Sequence, residues 1–167
     1  MTFVEVMVAT SIGTMILAAA GSLMVYNARS LAALSNYADL DRYSRTAVDK
    51  ITRDIRQSPG LTSFTTNQIQ LTSSSGGTIS YTYYSDLQQL VRLEGANREV
   101  LLKECTNLVF TVYSRNNISN TWDQFAVGDA SSAKLIKLNW TCTRSIMGQA
   151  VNTESIQTAK IVLRKQD

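Results

Sequence analysis

A single carboxylate, Glu5, interrupts the apolar amino-terminal segment of this 167-residue chain, since no other charged side chain precedes Arg29. A carboxylate within an apolar helix is strongly unfavourable unless a cation pairs with it. The nearest cation is the Met1 amine, which a straight helix keeps from pairing easily with Glu5 of the same chain. We therefore predict that Glu5 neutralises the Met1 amine of an adjacent, axially shifted chain. The alternative is an ordinary first-turn carboxylate that the helix dipole favours.

The composition excludes most catalytic chemistry. The chain has no His and two Cys, which removes Ser-His-Asp and Cys-His catalysis and leaves too few ligands for a structural zinc site. Neither a P-loop nor a dinucleotide-binding glycine pattern is present. We therefore expect no enzyme activity, no metal and no cofactor. The net charge of +3 is too small for nucleic-acid binding driven by charge, so we do not expect nucleic acid as a partner.

Other residue groups allow two interpretations each. Tyr81, Tyr83 and Tyr84 are consistent with base stacking or charge transfer, but tyrosine also packs well in sheets, and we favour sheet packing. Seven cations of the carboxyl-terminal part suit either a DNA-binding patch or solvated strand faces, and we favour the latter: Arg92, Arg98, Lys103, Arg115, Lys134, Lys137 and Arg144. The sequon Asn117-Ile118-Ser119 is a weak indication of glycosylation.

Residues 1–28 are long and apolar enough to cross a bilayer as a helix. A signal peptide fits poorly, because no basic region precedes the run VMVATSIGTMILAAAGSLMVY and no clear cleavage site follows it. A plain membrane anchor fits better but leaves Glu5 unexplained. The segment therefore requires an apolar environment, either lipid or further copies of itself.

The segment MTFVEVMVATSIGTMILAAAGSLMVYNAR resembles the mature amino terminus of type IV pilins and pseudopilins. In that family a prepilin peptidase removes a leader, and the new first residue, commonly Phe, is N-methylated, with Glu at mature position five. Met1 and Glu5 occupy those positions here, so the resemblance implies a processed chain methylated at Met1. Many major pilins have a helix-bending Pro where this chain has Ser22, and whether the helix melts between Gly13 and Ser22 stays open.

An amphipathic helix is predicted for residues 29–58. Apolar or small residues at helical spacing form one stripe, which we expect to face a core: Leu31, Leu34, Tyr37, Leu40, Ser44, Ala47, Ile51 and Ile55. Asp41 and Arg45 have the spacing of a helical ion pair. Pro59 and Gly60 end a helix of about 55 residues, or ~80 Å.

Residues 59–167 are predicted to form a β-rich head, because the apolar period changes from helical to alternating after Gly60. The predicted strands are Gln68–Thr72, Thr78–Tyr83, Leu87–Leu93, Glu99–Glu104, Leu108–Ser114, Leu135–Thr143 and Thr158–Arg164. Turns are predicted at Ser73–Gly77 and at Ser85-Asp86, the latter as a two-residue hairpin. Residues 115–133 are predicted as a surface loop in which Trp122 and Phe125 contact the body.

One long helix followed by antiparallel strands predicts an α+β fold. We expect an antiparallel sheet packed against the second half of the helix, with residues 29–167 as one folded unit. The resemblance to pilins implies the same architecture.

Cys105 and Cys142 are predicted to form a disulfide, because the amino-terminal segment places the head outside the cytoplasm. Closing this loop of about 38 residues would stabilise the fold by about 4 kcal/mol. The alternative is two buried free thiols.

The expected function is that of a structural subunit of a type IV pilus-like extracellular filament. Alternatives are a minor pseudopilin of a type II secretion system and a DNA-uptake minor pilin. The expected partners are copies of this chain in a helical homopolymer and the membrane before assembly. The resemblance adds the inner-membrane pilus assembly machinery and prepilin peptidase. The precursor is expected in the inner membrane, and the assembled form in an extracellular filament or a periplasmic pseudopilus.

Overall fold

The computed structural model describes residues 2–115, 124–144 and 154–164, which have the predicted α+β fold. The elements are α1 (Phe3–Gln57), β1 (Leu61–Phe64), β2 (Gln68–Thr72), β3 (Thr78–Tyr84), β4 (Gln89–Glu94), β5 (Asn97–Leu102), β6 (Cys105–Arg115), β7 (Gln124–Ala126), a short 3₁₀ helix (Ala130–Ser132), β8 (Leu135–Thr143) and β9 (Glu154–Val162).

Helix α1 runs for 55 residues without interruption through Gly13 and Gly21. It ends where expected, because Pro59 follows the cap residue Ser58, whose N–H donates to the Asp54 carbonyl at 2.9 Å. The Ser58 hydroxyl then bonds to the carbonyl of Thr72 at 2.8 Å, which fastens the end of the helix to the sheet.

The predicted antiparallel pairing is confirmed, and the strands are divided between two sheets. Strands β1 to β5 lie in sequence order in the first sheet, and the second has the order β7-β6-β8-β9. The chain changes sheets at Glu104, whose positive φ of 57° turns β6 away from β5. Strand β6 then pairs with β8, which is formed at the predicted bounds Leu135–Thr143.

The core lies between the two sheets and the second half of α1. Leu40, Ala47, Ile51 and Ile55 are each at most 3% exposed and pack with apolar side chains of both sheets. The predicted stripe is therefore buried from Leu40 onward. Its earlier part is not: Leu31, Leu34 and Tyr37 are more than half exposed.

The predicted two-residue hairpin is wrong. Tyr84 pairs with Gln89, so Ser85–Gln88 form a four-residue turn in which Gln88 adopts a positive φ of 52°. Leu87 lies in this turn and is exposed, and Leu90 occupies the core position instead.

Two short strands lie where none was predicted. Strand β1 directly follows the helix, and β7 lies inside the predicted loop of residues 115–133, where it pairs with β6. Both have few residues and little alternation, which explains why the pattern did not reveal them. Trp122 and the sequon at residues 117–119 lie outside the described residues.

Candidate assembly surface

Thr2 and Glu5 form a capping box at the start of α1. The backbone N–H of Thr2 donates to Glu5 Oε2 at 2.7 Å, and the N–H of Glu5 donates to Thr2 Oγ1 at 3.4 Å. The spacing Thr2-x-x-Glu5 is the usual sequence pattern of this cap, which the charge of Glu5 alone does not reveal. Met1 lies outside the described residues, so its pairing with Glu5 of another chain stays a prediction.

The capping box uses only part of the hydrogen-bond acceptor capacity of the Glu5 carboxylate. An ionised carboxylate accepts about four hydrogen bonds, and the described cap uses one of them. The side chain is exposed beside Val6, Ala9 and Thr10. Glu5 can therefore hold its own helix cap and still receive a cation from outside the chain.

The first half of α1 has no protein cover. Apolar side chains such as Phe3, Met15, Leu17 and Met24 are between 73% and 80% exposed. The helix contains one segment that is long and apolar enough to cross a membrane, with a mean hydropathy of 1.8 and none of it buried. We call residues 3–28 the apolar half-helix.

The hydroxyl groups of the apolar half-helix are paired within the helix. Thr10 donates to the carbonyl of Val6 at 3.0 Å, and Ser22 donates to that of Ala19 at 2.8 Å. Ser11 and Thr14 make the same kind of bond at 2.9 Å. A helix side chain that bonds to a preceding carbonyl needs no external partner, so this surface suits an apolar neighbour.

Buried polar contacts anchor the second half of α1 to the sheets. Asp54 Oδ2 accepts from Arg92 Nε and from the Tyr81 hydroxyl, both at 2.6 Å. Arg92 Nη2 also donates to Glu94 Oε2 at 2.7 Å. Nearer the start of this second half, Trp140 Nε1 donates to the Ser44 hydroxyl at 3.2 Å. We call Asp54, Arg92, Tyr81 and Glu94 the helix anchor.

The helix anchor corrects the assignment of Arg92 to a solvated strand face. Arg92 is only 5% exposed, because the Asp54 carboxylate draws its guanidinium under the helix. Burial alone would lower the pKa of Arg92, but the bonds to Asp54 and Glu94 outweigh it and raise the pKa. Burial and the bond to Asp54 raise the pKa of Tyr81, so the anchor holds a charged guanidinium and a neutral phenol.

Cys105 and Cys142 lie directly opposite each other on β6 and β8, and both are buried thiols in this structure. The Thr143 N–H donates to the Glu104 carbonyl at 2.9 Å, so the cysteines occupy the adjacent, closely spaced pair of the ladder. The neighbouring Cys105 thiol and burial raise the pKa of Cys142, while the Cys105 thiol donates to the carbonyl of Asn107 at 3.4 Å. The disulfide stays a prediction, and its pairing is geometrically accessible.

The candidate tyrosines of the head differ in exposure, and its candidate cations differ in their ion pairs. Tyr81 and Tyr83 are at most 8% exposed, while Tyr84 is 45% exposed, so sheet packing is confirmed for the first two. Arg92 belongs to the helix anchor, and Arg144 is paired with Glu104 and Asp39. Among the described residues, two of these seven cations, Arg92 and Arg144, are thus paired with carboxylates.

The chain has no match among protein-family models, curated proteins or solved structures. A long amino-terminal helix packed on antiparallel sheets is compatible with a pilin-like fold. The exposed apolar segment is consistent with membrane association.

Proposed function

We propose that this protein is a structural subunit of a type IV pilus-like filament that assembles through the apolar half-helix. The observation that carries this proposal is the contrast within α1: its second half is fixed in the head, whereas its apolar first half contacts no other part of the described chain. Such a surface requires lipid or further copies of the chain. The resemblance of the amino-terminal segment to pilins favours lipid before assembly and further copies of the chain afterwards.

Apolar contact supplies the driving force for assembly. The precursor is held in the inner membrane by the apolar half-helix, which then packs among the half-helices of other copies. Removing apolar surface from water contributes roughly 25 cal/mol per Å², and close packing distinguishes neighbouring helices from lipid. Contacts between unlike surfaces of successive copies produce an open helical polymer.

Glu5 sets the register of neighbouring copies in this proposal. Its carboxylate remains in an apolar environment only if a cation compensates it, and the Met1 amine of the adjacent copy has the right charge. A mispositioned copy leaves both charges unpaired. The ion pair therefore selects one axial position during assembly.

Three variants separate the charge of Glu5 from its role in the cap. Glu5→Gln keeps the capping box and removes the charge, whereas Thr2→Ala weakens the cap and keeps the charge. We expect Glu5→Gln to lower the yield of sheared filaments by roughly tenfold or more, like Glu5→Ala, and Thr2→Ala to assemble nearly normally. Immunoblots of the sheared and membrane fractions measure how much of each variant is assembled and how much stays in the membrane. Normal filaments from Glu5→Gln would contradict the proposed ion pair.

A further inference from the structure

The large apolar side chains of the α1 stripe are buried against the head only from Leu40 onward. Leu40 is 3% exposed, but Leu31, Leu34 and Tyr37, which continue the same stripe, are 68%, 64% and 51% exposed. We call residues 31–39 the neck. Because the large apolar side chains of the neck are not covered as those of residues 40–55 are, polar contacts contribute to how the neck lies against the head.

Arg144 connects the head to the neck. Its Nη1 donates to Asn36 Oδ1 at 3.3 Å and lies 3.8 Å from Asp39 Oδ2. Next to this contact, Gln157 Nε2 donates to Asp41 Oδ1 at 3.4 Å. The Arg144 contacts with Asn36 and Asp39, and the neighbouring one at Asp41 just beyond the neck, are polar and only partly buried.

Arg144 is held firmly from the side of the head. Its Nε donates to Glu104 Oε2 at 2.7 Å, and the Thr143 N–H holds the Glu104 backbone at 2.9 Å. The buried Cys105 directly follows Glu104, and its partner Cys142 lies two residues before Arg144. The guanidinium is therefore held at the start of β6 and the end of β8, and its Nη1 is turned to the neck.

We propose that Arg144, Glu104, Asn36 and Asp39 form a neck clamp that sets the angle at which the apolar half-helix leaves the head. Long helices bend gently, and the clamp restrains the bend at the point where core packing stops. Residues 3–39 extend over roughly 55 Å, so a tilt of about 10° moves the amino-terminal end by about 10 Å. Partly exposed ion pairs contribute little to stability, so the clamp opens far more easily than the core.

The distance between the neck end of the helix and the head reports this angle in the unassembled chain. Spin labels at Ser30 and at Ser85, both exposed, can be placed on the full chain in detergent micelles and their distance distribution measured by pulsed electron resonance. Ser85 belongs to the turn whose Gln88 carbonyl accepts from Cys105 N–H at 2.9 Å, so it lies near the clamp. No filament is needed, so the test is independent of the proposed function.

Two sets of variants distinguish the clamp from a role of Arg144 inside the head. We expect Arg144→Gln, and Asn36→Ala combined with Asp39→Ala, each to widen the distribution about twofold. The second set leaves the pair Arg144–Glu104 intact and so remains informative if Arg144→Gln fails to fold. Arg98→Gln, at an exposed cation of β5, should leave the distribution unchanged.

Salt supplies a further check, because about 1 M salt screens exposed ion pairs. High salt should widen the distribution of the wild type towards that of Arg144→Gln and leave the variant unchanged. An unaltered distribution in the double neck variant would overturn the proposal, whatever Arg144→Gln does.

Discussion

The two halves of α1 share one uninterrupted helix and have opposite surroundings. Residues 40–55 are held by a core stripe and by the helix anchor, whereas the apolar half-helix carries exposed Phe, Met and Leu side chains. The buried half is the more polar one in composition, because it needs only one apolar stripe and can expose charges elsewhere. A helix that is apolar on every side instead specifies surroundings outside its own fold.

Breaking the helix anchor should have the largest effect on the buried half. Arg92→Met leaves the Asp54 carboxylate buried without a cation, which we expect to cost about 3 to 5 kcal/mol of unfolding free energy. Urea unfolding of the full chain in mild detergent, followed by near-ultraviolet circular dichroism, measures this loss. Adding Asp54→Leu should recover much of it, and Arg98→Met should have little effect. An unaltered midpoint in Arg92→Met would show that the anchor does not hold the helix.

Matched isoleucine truncations compare the two halves directly. Ile51 is 1% exposed and Ile16 is 63% exposed. Ile51→Ala should lower the unfolding free energy of the head by about 3 kcal/mol, because it removes packed methyl groups and leaves a cavity. Ile16→Ala should leave that value unchanged in the same assay. Equal losses would mean that the apolar half-helix packs on the head.

Alkaline pH provides the mildest perturbation of the buried half. Burial and the bond to Asp54 raise the pKa of Tyr81 in the folded state above the unfolded value of about 10. The folded protein therefore keeps a proton that the unfolded chain loses. Its contribution to stability is complete below about pH 10 and falls by about 1.4 kcal/mol per pH unit above it.

Tyrosine substitutions test whether Tyr81 causes this fall in stability with rising pH. Tyr81→Phe should make the loss of stability above pH 10 shallower, when unfolding is measured between pH 9 and pH 11. Tyr43→Phe, at an exposed position of α1, serves as the control. The same slope in Tyr81→Phe and wild type would exclude Tyr81 as its source.

Local rules predicted the helix and most strands. Pro59 marks the end of α1, and the alternation of Ile136, Leu138, Trp140 and Cys142 predicts β8 at its observed bounds. The capping box was equally visible in the spacing of Thr2 and Glu5.

Other features depend on contacts that no local pattern encodes. Arg92 alternates with apolar residues in β4, yet its burial depends on Asp54, which lies 38 positions away in the sequence. The division into two sheets depends on which strands pair, and a turn at Glu104 decides it. The exposed neck shows the same limit, because helical spacing predicts an apolar stripe without predicting where its cover ends.

The internal pairing of the Thr10, Ser11, Thr14 and Ser22 hydroxyls has a mechanical consequence. A segment with this pairing can exchange lipid neighbours for protein neighbours without breaking a hydrogen bond, so the two states differ mainly in shape and dispersion contacts. Transfer between the two states would require an axial pull and no chemical step. How easily it reverses would depend on how closely neighbouring helices pack.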